Sequence, residues 1–519
     1  MNLEAFLHNL HFDIDKVSPR DWEVDWDDAP LAYKLYRGLP TIPLSLEVPL
    51  TLKRMEETAK VDLNKIGHFL WYVFGLTQCS ESMMSDQALD LMQSKRRFVP
   101  SGGALYPNEL YVYLKIEHLP TGVYHYDVAH HRLVLLREGN FDSYLSRALG
   151  NRCDLSDCFG SVFVSTMFWK NFFKYNNFAY RLQGLDAGVL IGQLLEVAKC
   201  FGFVPWVYFQ FLDRAINHLL GLSEQEESVY AVIPLSAEST SYFNRSHIDR
   251  DDSATELCQE LTAIQSTHYV KSRRVIAFPM LTKMNEASML ESTRSFRQIK
   301  EEPINGGGQT VTLPSVNQLS YDLASVCRKR FSPDIDFVLG KVSQLQLATL
   351  LKGAVDSFSY PNDLDGVQKK QQSRVSIYGC LYNVEGIPNG AYHYDSSAHA
   401  LRPVQLGDPR LRLQHGISGG NVNMFQVPLC LHVAGNKNYF KTEMGYRGCR
   451  IQQMEAGMLV QRILLVASAL GIGGHPLLGF DANVCDEIYK LSPQGKTSLI
   501  QIPTGPYRHR PWLTGSLRS

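Results

Sequence analysis

An α+β protein made of two related halves is what this sequence predicts, on three observations: a repeated hexapeptide, further matches in the same register, and strand-like segments mixed with long apolar helices. Gly122-Val-Tyr-His-Tyr-Asp127 recurs as Gly390-Ala-Tyr-His-Tyr-Asp395, an offset of 268 residues (390 − 122). Leu185-Asp-Ala-Gly188 and Met454-Glu-Ala-Gly457, Leu222-Ser223 and Leu491-Ser492, and Ile233-Pro234 and Ile502-Pro503 are each offset by 269 (454 − 185). Matches kept in one register over about a hundred residues imply duplication, and so long a period means two domains rather than a solenoid of ~20–50-residue repeats.

The strands come first in each half. Leu110 to Ile116 (LYVYLKI) and Gly160 to Phe168 (GSVFVSTMF) are rich in β-branched and aromatic residues and read as strands. Leu185 to Phe201 and Met454 to Leu470 then read as helices that are apolar round most of their circumference. Such helices are buried on several sides, at the heart of a domain or between two. Ser236 to Ser253 is polar and charged and reads as a surface linker.

Bulk properties narrow the function classes. At 519 residues and 45% hydrophobic content the chain can bury a large core, which excludes a disordered or fibrous protein. Lys+Arg 51 against Asp+Glu 52 leaves a net charge of -1, so nothing argues for a nucleic-acid or anionic-membrane partner. The N-terminus has no basic region followed by an apolar run, and no stretch reaches transmembrane length; a soluble, cytoplasmic protein is expected. Ten cysteines without a CxxC pair fit neither a zinc ribbon nor a disulfide framework, and His130-His131 lacks the acidic or Cys companions of a ligand set; no metal is implied.

Two local runs carry chemistry. Val99-Pro100-Ser101-Gly102-Gly103-Ala104-Leu105-Tyr106-Pro107 is a turn leading into a strand, and its adjacent glycines let the backbone approach a flat ligand. It also reads as an ordinary loop on these residues alone. Thr293-Arg294-Ser295-Phe296-Arg297 can present two forked donors and a hydroxyl to one phosphate, or be a solvated basic turn. Asn305-Gly-Gly-Gly-Gln-Thr310 lacks the ending of a phosphate loop, and Gly471-Ile-Gly473-Gly474 follows a helix, against a Rossmann fingerprint.

Taken together, these runs resemble the SagB-type dehydrogenases of the nitroreductase superfamily. The Pro100 to Pro107 run is similar to that family's Pro-Ser-Ala-Gly-Ala-Leu-Tyr-Pro signature. Tyr33-Lys-Leu-Tyr36 with Ile42-Pro43-Leu44 resembles its N-terminal arm. Gly122 to Asp127, Lys174-Tyr175, Tyr180-Arg181 and Leu185 to Gly188 follow its order and spacing.

The resemblance implies a nitroreductase-like fold in two copies, forming an intrachain pseudo-dimer that binds FMN. The expected divisions are an arm over 1–50, copy one over 51–240, a linker over 241–280 and copy two over 281–519. Pro100, Ser101, Gly102, Gly103 and Leu105 are then expected against the flavin ring, with a backbone contact from Gly473 and Gly474. Arg294, Ser295 and Arg297, with the closing pair Arg508 and Arg510, are expected on the phosphate.

Lys174 and Tyr175 are the expected catalytic pair. Tyr175 acts as base if Lys174 or the flavin site lowers its pKa from ~10, and Lys174 can equally stabilise negative charge on the reduced flavin. Copy one carries Met55 to Lys60 where the phosphate motif belongs, and copy two carries Ser373 to Tyr378 where the ring loop belongs. These complementary losses predict one composite site per chain.

The implied activity is oxidation of thiazoline or oxazoline rings in a ribosomally made precursor peptide, as in bacteriocin maturation, beside a cyclodehydratase. Further oligomerisation is left open. A generic NAD(P)H-dependent nitro- or quinone reductase and a flavin-free scaffold subunit are the alternatives.

Overall fold

The computed structural model describes residues 1–19, 21–53, 60–83, 91–238, 251–299, 309–356, 358–365, 373–509 and 513–515. Arg510, residues 55–59 of the acidic run, residues 241–250 of the proposed linker and the glycines of Asn305 to Thr310 lie outside them.

The repeat in the sequence reappears as two seven-stranded sheets of identical topology. The first runs Thr41–Pro43, Arg132–Glu138, Gly122–Asp127, Asn108–Leu114, Gly160–Met167, Glu227–Ser236, Val204–Pro205. The second runs Val311–Thr312, Ala400–Leu406, Gly390–Asp395, Ser376–Leu381, Leu429–Asn436, Lys496–Gly505, Gly473–Gly474. The repeated hexapeptide is the third strand of each. All pairings are antiparallel, and each hexapeptide carries a register shift against its hairpin partner, at Val123/Tyr124 and Ala391/Tyr392. The arm is not separate from the first sheet, because Thr41–Pro43 pairs with Arg132–Val134 as its edge strand.

Each sheet packs one face on a long central helix, Ala179–Phe201 or Arg447–Ala469. Both begin several residues before the expected apolar stretch, since their first turns carry Arg181, or Arg447 and Arg450, which are buried but polar. The helices cross at the repeated glycines. A Cβ on Gly188 would lie 2.0 Å from the Met454 carbonyl oxygen, and one on Gly457 2.2 Å from that of Leu185. Only glycine allows backbones this close.

Polar side chains on the same helices meet across the junction. Gln461 Nε2 donates to Gln193 Oε1 at 2.8 Å, Arg462 pairs with Glu196, and Arg447 reaches Asp213 at 2.7 Å. One hydrophobic core therefore spans both halves, and a smaller cluster covers the outer face of each sheet. The ten cysteines are free, and most are buried. Among the described residues no helix is long and apolar enough to cross a membrane, and no His/Cys/Asp/Glu group is arranged to hold a metal.

Candidate active site

A cleft of about 710 Å³ lies at the junction, walled by both halves. The first half contributes Pro100 to Ala104, Lys174 and Tyr175; the second contributes Arg330, Ser332, Ser418, Gly419, Asn421 and His475 to Gly479.

The glycine loop is held in a strained form. Gly103, Ala104 and Tyr106 have φ of 63, 56 and 48°, a region costly for residues with side chains. The strain is fixed from below by Asp186 of the first central helix. Ser101 Oγ donates to Asp186 Oδ2 at 2.6 Å, Gly102 N donates to Oδ1 at 3.3 Å, and Tyr106 N donates to Ser101 Oγ at 2.9 Å. Burial pushes the Asp186 carboxyl up to about 7, against the two donors that favour its charged form.

Lys174 and Tyr175 end the short helix Trp169–Tyr175, which stops at Asn176 with φ 47°. The sharp turn leaves both side chains over the loop. A Cβ on Gly103 would lie 2.5 Å from Tyr175 Oη and 3.0 Å from Lys174 Nζ. The surroundings do not lower the Tyr175 phenol as a base there would require. Tyr175 is pushed up to about 12 by burial and the nearby Asp186 carboxyl, whereas burial lowers Lys174. The phenol keeps its proton, and the lysine is the weaker holder.

The opposite end of the cleft is cationic. Arg330 Nε donates to the Phe98 carbonyl at 3.0 Å and Nη1 to Ser332 Oγ at 3.3 Å, with no carboxylate partner among the described residues. Burial and the facing Arg96 lower its pKa to about 10. Two neighbouring cations and a hydroxyl without an anion are suited to a phosphate. Arg330 and Ser332, which the sequence analysis did not single out, line this end of the cleft, whereas Arg328 is exposed and donates to the Leu50 carbonyl at 2.8 Å.

The signal was their position. The anchor is expected at Arg294 to Arg297, whereas Arg330 and Ser332 stand just ahead of helix Gln344–Val355, as the Met55 to Lys60 run stands ahead of helix Leu63–Phe74.

Several expected residues lie elsewhere. Arg294 pairs on the surface with Asp251 at 2.9 Å, and neither it, Ser295 nor Arg297 lines the cleft. Gly473 and Gly474 form an edge strand, where a Cβ would meet Pro333 at 2.3 Å or Leu464 at 2.7 Å. The residues after them form the wall. Leu105 closes the short turn without lining the cleft, and Arg508 is exposed, joined to Asp336 through its backbone.

The pseudo-symmetry-related place is filled by the chain itself. Trp206–Gln210 and Gly150–Cys153 correspond to His475–Gly479 and Ser418–Asn421. Phe296 packs on Gly150 and under the Arg152 guanidinium, 4.4 Å away. Gln210 exchanges bonds with the Arg297 backbone at 2.7 and 2.8 Å, and Asp363 accepts from Phe209 N, Gln210 N and Arg152 at 2.9–3.0 Å. The segment expected to hold phosphate instead closes the second cleft.

Comparison with known proteins agrees with this architecture. Residues 380–505 match the nitroreductase family. A trifolitoxin-processing protein of Rhizobium leguminosarum bv. trifolii is 34% identical over 142 residues, 26% of this chain and 37% of that protein. The microcin B17-processing protein of Escherichia coli is 28% identical over 185 residues, 33% of this chain and 66% of that protein. The matched regions span less than two thirds of either relative. A crystal structure from Anabaena variabilis, provisionally described as a nitroreductase, superposes with a TM-score of 0.74 over 98% of this chain and 99% of its own, at 20% identity. The chain therefore carries a nitroreductase-family domain at residues 380–505 within a nitroreductase-like fold.

Proposed function

We propose that this chain is an FMN-dependent dehydrogenase that oxidises thiazoline or oxazoline rings in a ribosomally made precursor peptide to thiazoles or oxazoles. The carrying observation is the meeting in one cleft of the Gly102–Gly103 floor, the Lys174–Tyr175 pair and, from the other half, Arg330 with Ser332. The similarity to two peptide-toxin-processing proteins supports a peptide substrate and, with it, a cyclodehydratase partner that makes the rings.

The residues fit FMN on two counts. Gly102 and Gly103 line the cleft without side chains, with Lys174 and Tyr175 packed beside them, so a flat ring can lie against the loop backbone. Arg330 and Arg96 supply positive charge that lacks a protein anion among the described residues. FMN, when bound, supplies the two-electron acceptor.

The chain's own side chains handle the proton. Lys174 Nζ, its charged form disfavoured by burial, takes the Cα proton of the azoline ring. Tyr175, held protonated, donates a hydrogen bond to the substrate and orients the ring over the glycines. Asp186 positions the loop through Ser101 and Gly102. The azoline loses two hydrogens in all: Lys174 Nζ takes one as the proton, and FMN, where bound, would be the acceptor for the other with its electron pair.

Incubating the FMN-loaded chain with an azoline-containing peptide should remove about 2 Da per ring, the two hydrogens transferred. An unchanged peptide mass, together with NAD(P)H-driven quinone reduction, would replace this reading with that of a generic reductase.

A further inference from the structure

Resting on the peptide-dehydrogenase reading, we propose that a second chamber beside the cleft is the subsite for the side chain next to the reacting ring, and that it selects an uncharged apolar residue. The chamber, about 520 Å³, shares Lys174, Tyr175, Phe178, Ser418, Leu478 and Gly479 with the cleft. A substrate whose ring lies under Lys174 and Tyr175 has its neighbouring residue at this opening. The volume lies within the ~300–1,000 Å³ of ligand pockets.

The walls set the chemistry. Phe12, Ile14 and Trp22 of the N-terminal arm face Phe178, Leu478 and Phe480. The arm is pinned there by both halves: Trp22 Nε1 donates to the Phe173 carbonyl at 3.2 Å, Asn177 Nδ2 to that of Val17 at 2.7 Å, and Asn483 Nδ2 to that of Phe12 at 3.3 Å. The chamber is thus a fixed part of the fold.

Its charges disfavour a basic occupant. Arg181 is 4% exposed, bonded only to the Leu10 and Leu499 carbonyls at 3.2 Å, with its Nε unpartnered. His11, on the same walls, is held neutral by burial and Arg181 and so offers no counter-charge. The carboxylates lie outward or are engaged: Asp15 is exposed, Asp13 pairs with Lys16 at 2.7 Å, and Asp481 caps a helix. A buried ammonium beside Arg181 would be repelled, and an aliphatic group gains from removal from water.

The test uses fluorescein-labelled azoline peptides identical except for Leu, Ala or Lys beside the ring, with binding read by anisotropy on the FMN-loaded chain and turnover read separately by mass. The parent should bind the Leu peptide at least about tenfold tighter than the Lys peptide. Ile14→Trp, which fills the chamber, should weaken the Leu peptide about tenfold or more and leave the Ala peptide within about twofold, with the flavin spectrum unchanged. Ile14→Ala, which cannot overpack, should keep Leu over Lys. Equal affinity for Leu and Lys, no binding of any peptide, or indifference to Ile14→Trp in a flavin-retaining protein overturns the subsite. Selective binding without loss of mass would leave the subsite standing and overturn the dehydrogenase.

Discussion

Asp186 and Glu455 occupy matching positions on the two central helices but hold different partners. Asp186 accepts from Ser101 Oγ at 2.6 Å and supports the glycine loop, whereas Glu455 accepts from Arg374 Nη2 at 2.5 Å and from Tyr360 Oη at 2.7 Å. One carboxylate shapes an open cleft. The other is locked in a buried ion pair beside the filled one.

That ion pair should be needed for stability. Arg374 and Glu455 side chains are 4% and 1% exposed, so Arg374→Ala leaves a buried, partly uncompensated carboxylate. A loss of about 3–5 kcal/mol is expected in urea unfolding. A variant within experimental error of the parent would show that water or another cation satisfies Glu455.

The Asp186 carboxyl should make stability pH-dependent. Its folded-state pKa is raised from 3.8 to about 7, chiefly by burial, so the folded chain keeps a proton that the unfolded chain has released. The contribution is complete below about pH 4 and is lost as pH rises through about 7, at most of order 4 kcal/mol. Asp186→Asn cannot ionise and should gain on the parent in thermal melts between pH 4 and pH 8. A gap that does not change with pH would contradict this.

Phosphate anchoring should follow Arg330 and not Arg297. Removing one charge-assisted partner of a dianion costs about 2–5 kcal/mol, so Arg330→Ala should purify folded and largely colourless. Arg297→Ala, whose guanidinium bonds only to its own turn, should stay yellow. The opposite colours would restore the anchor expected from Arg-Ser-Phe-Arg.

Catalysis should separate from cofactor retention at the Lys174–Tyr175 pair. Lys174→Ala should lower azoline oxidation by roughly 10²-fold or more at unchanged flavin content, the scale of a lost general base. Tyr175→Phe removes the donor and should also lower it, without shifting the acid limb set by Lys174. Full turnover in Lys174→Ala would assign the proton to another group.

Much of this was legible in the sequence. The 269-residue register marked the duplicated sheets and the glycines Gly188 and Gly457 at the helix crossing, because close backbone contact tolerates no other residue. The Ser101 to Tyr106 loop and the Lys-Tyr pair were readable because strained turns need particular residues in order. That Arg294 and Arg297 lie away from the cleft was not legible, because two arginines three apart look alike wherever they stand. Only tertiary packing decides that Arg330 is buried without a carboxylate partner among the described residues while the Arg297 backbone bonds to Gln210. The acidity order of Lys174 and Tyr175 was equally hidden, since it depends on burial and on Asp186.

The most direct test of the central claim is the molar ratio of FMN to protein, measured after the cofactor is released by denaturation. One composite cleft and one filled by Phe296 and Asp363 predict a ratio near 1. A ratio near 2 would show that the second cleft opens to flavin, and a colourless protein that cannot be loaded with FMN would contradict the account altogether.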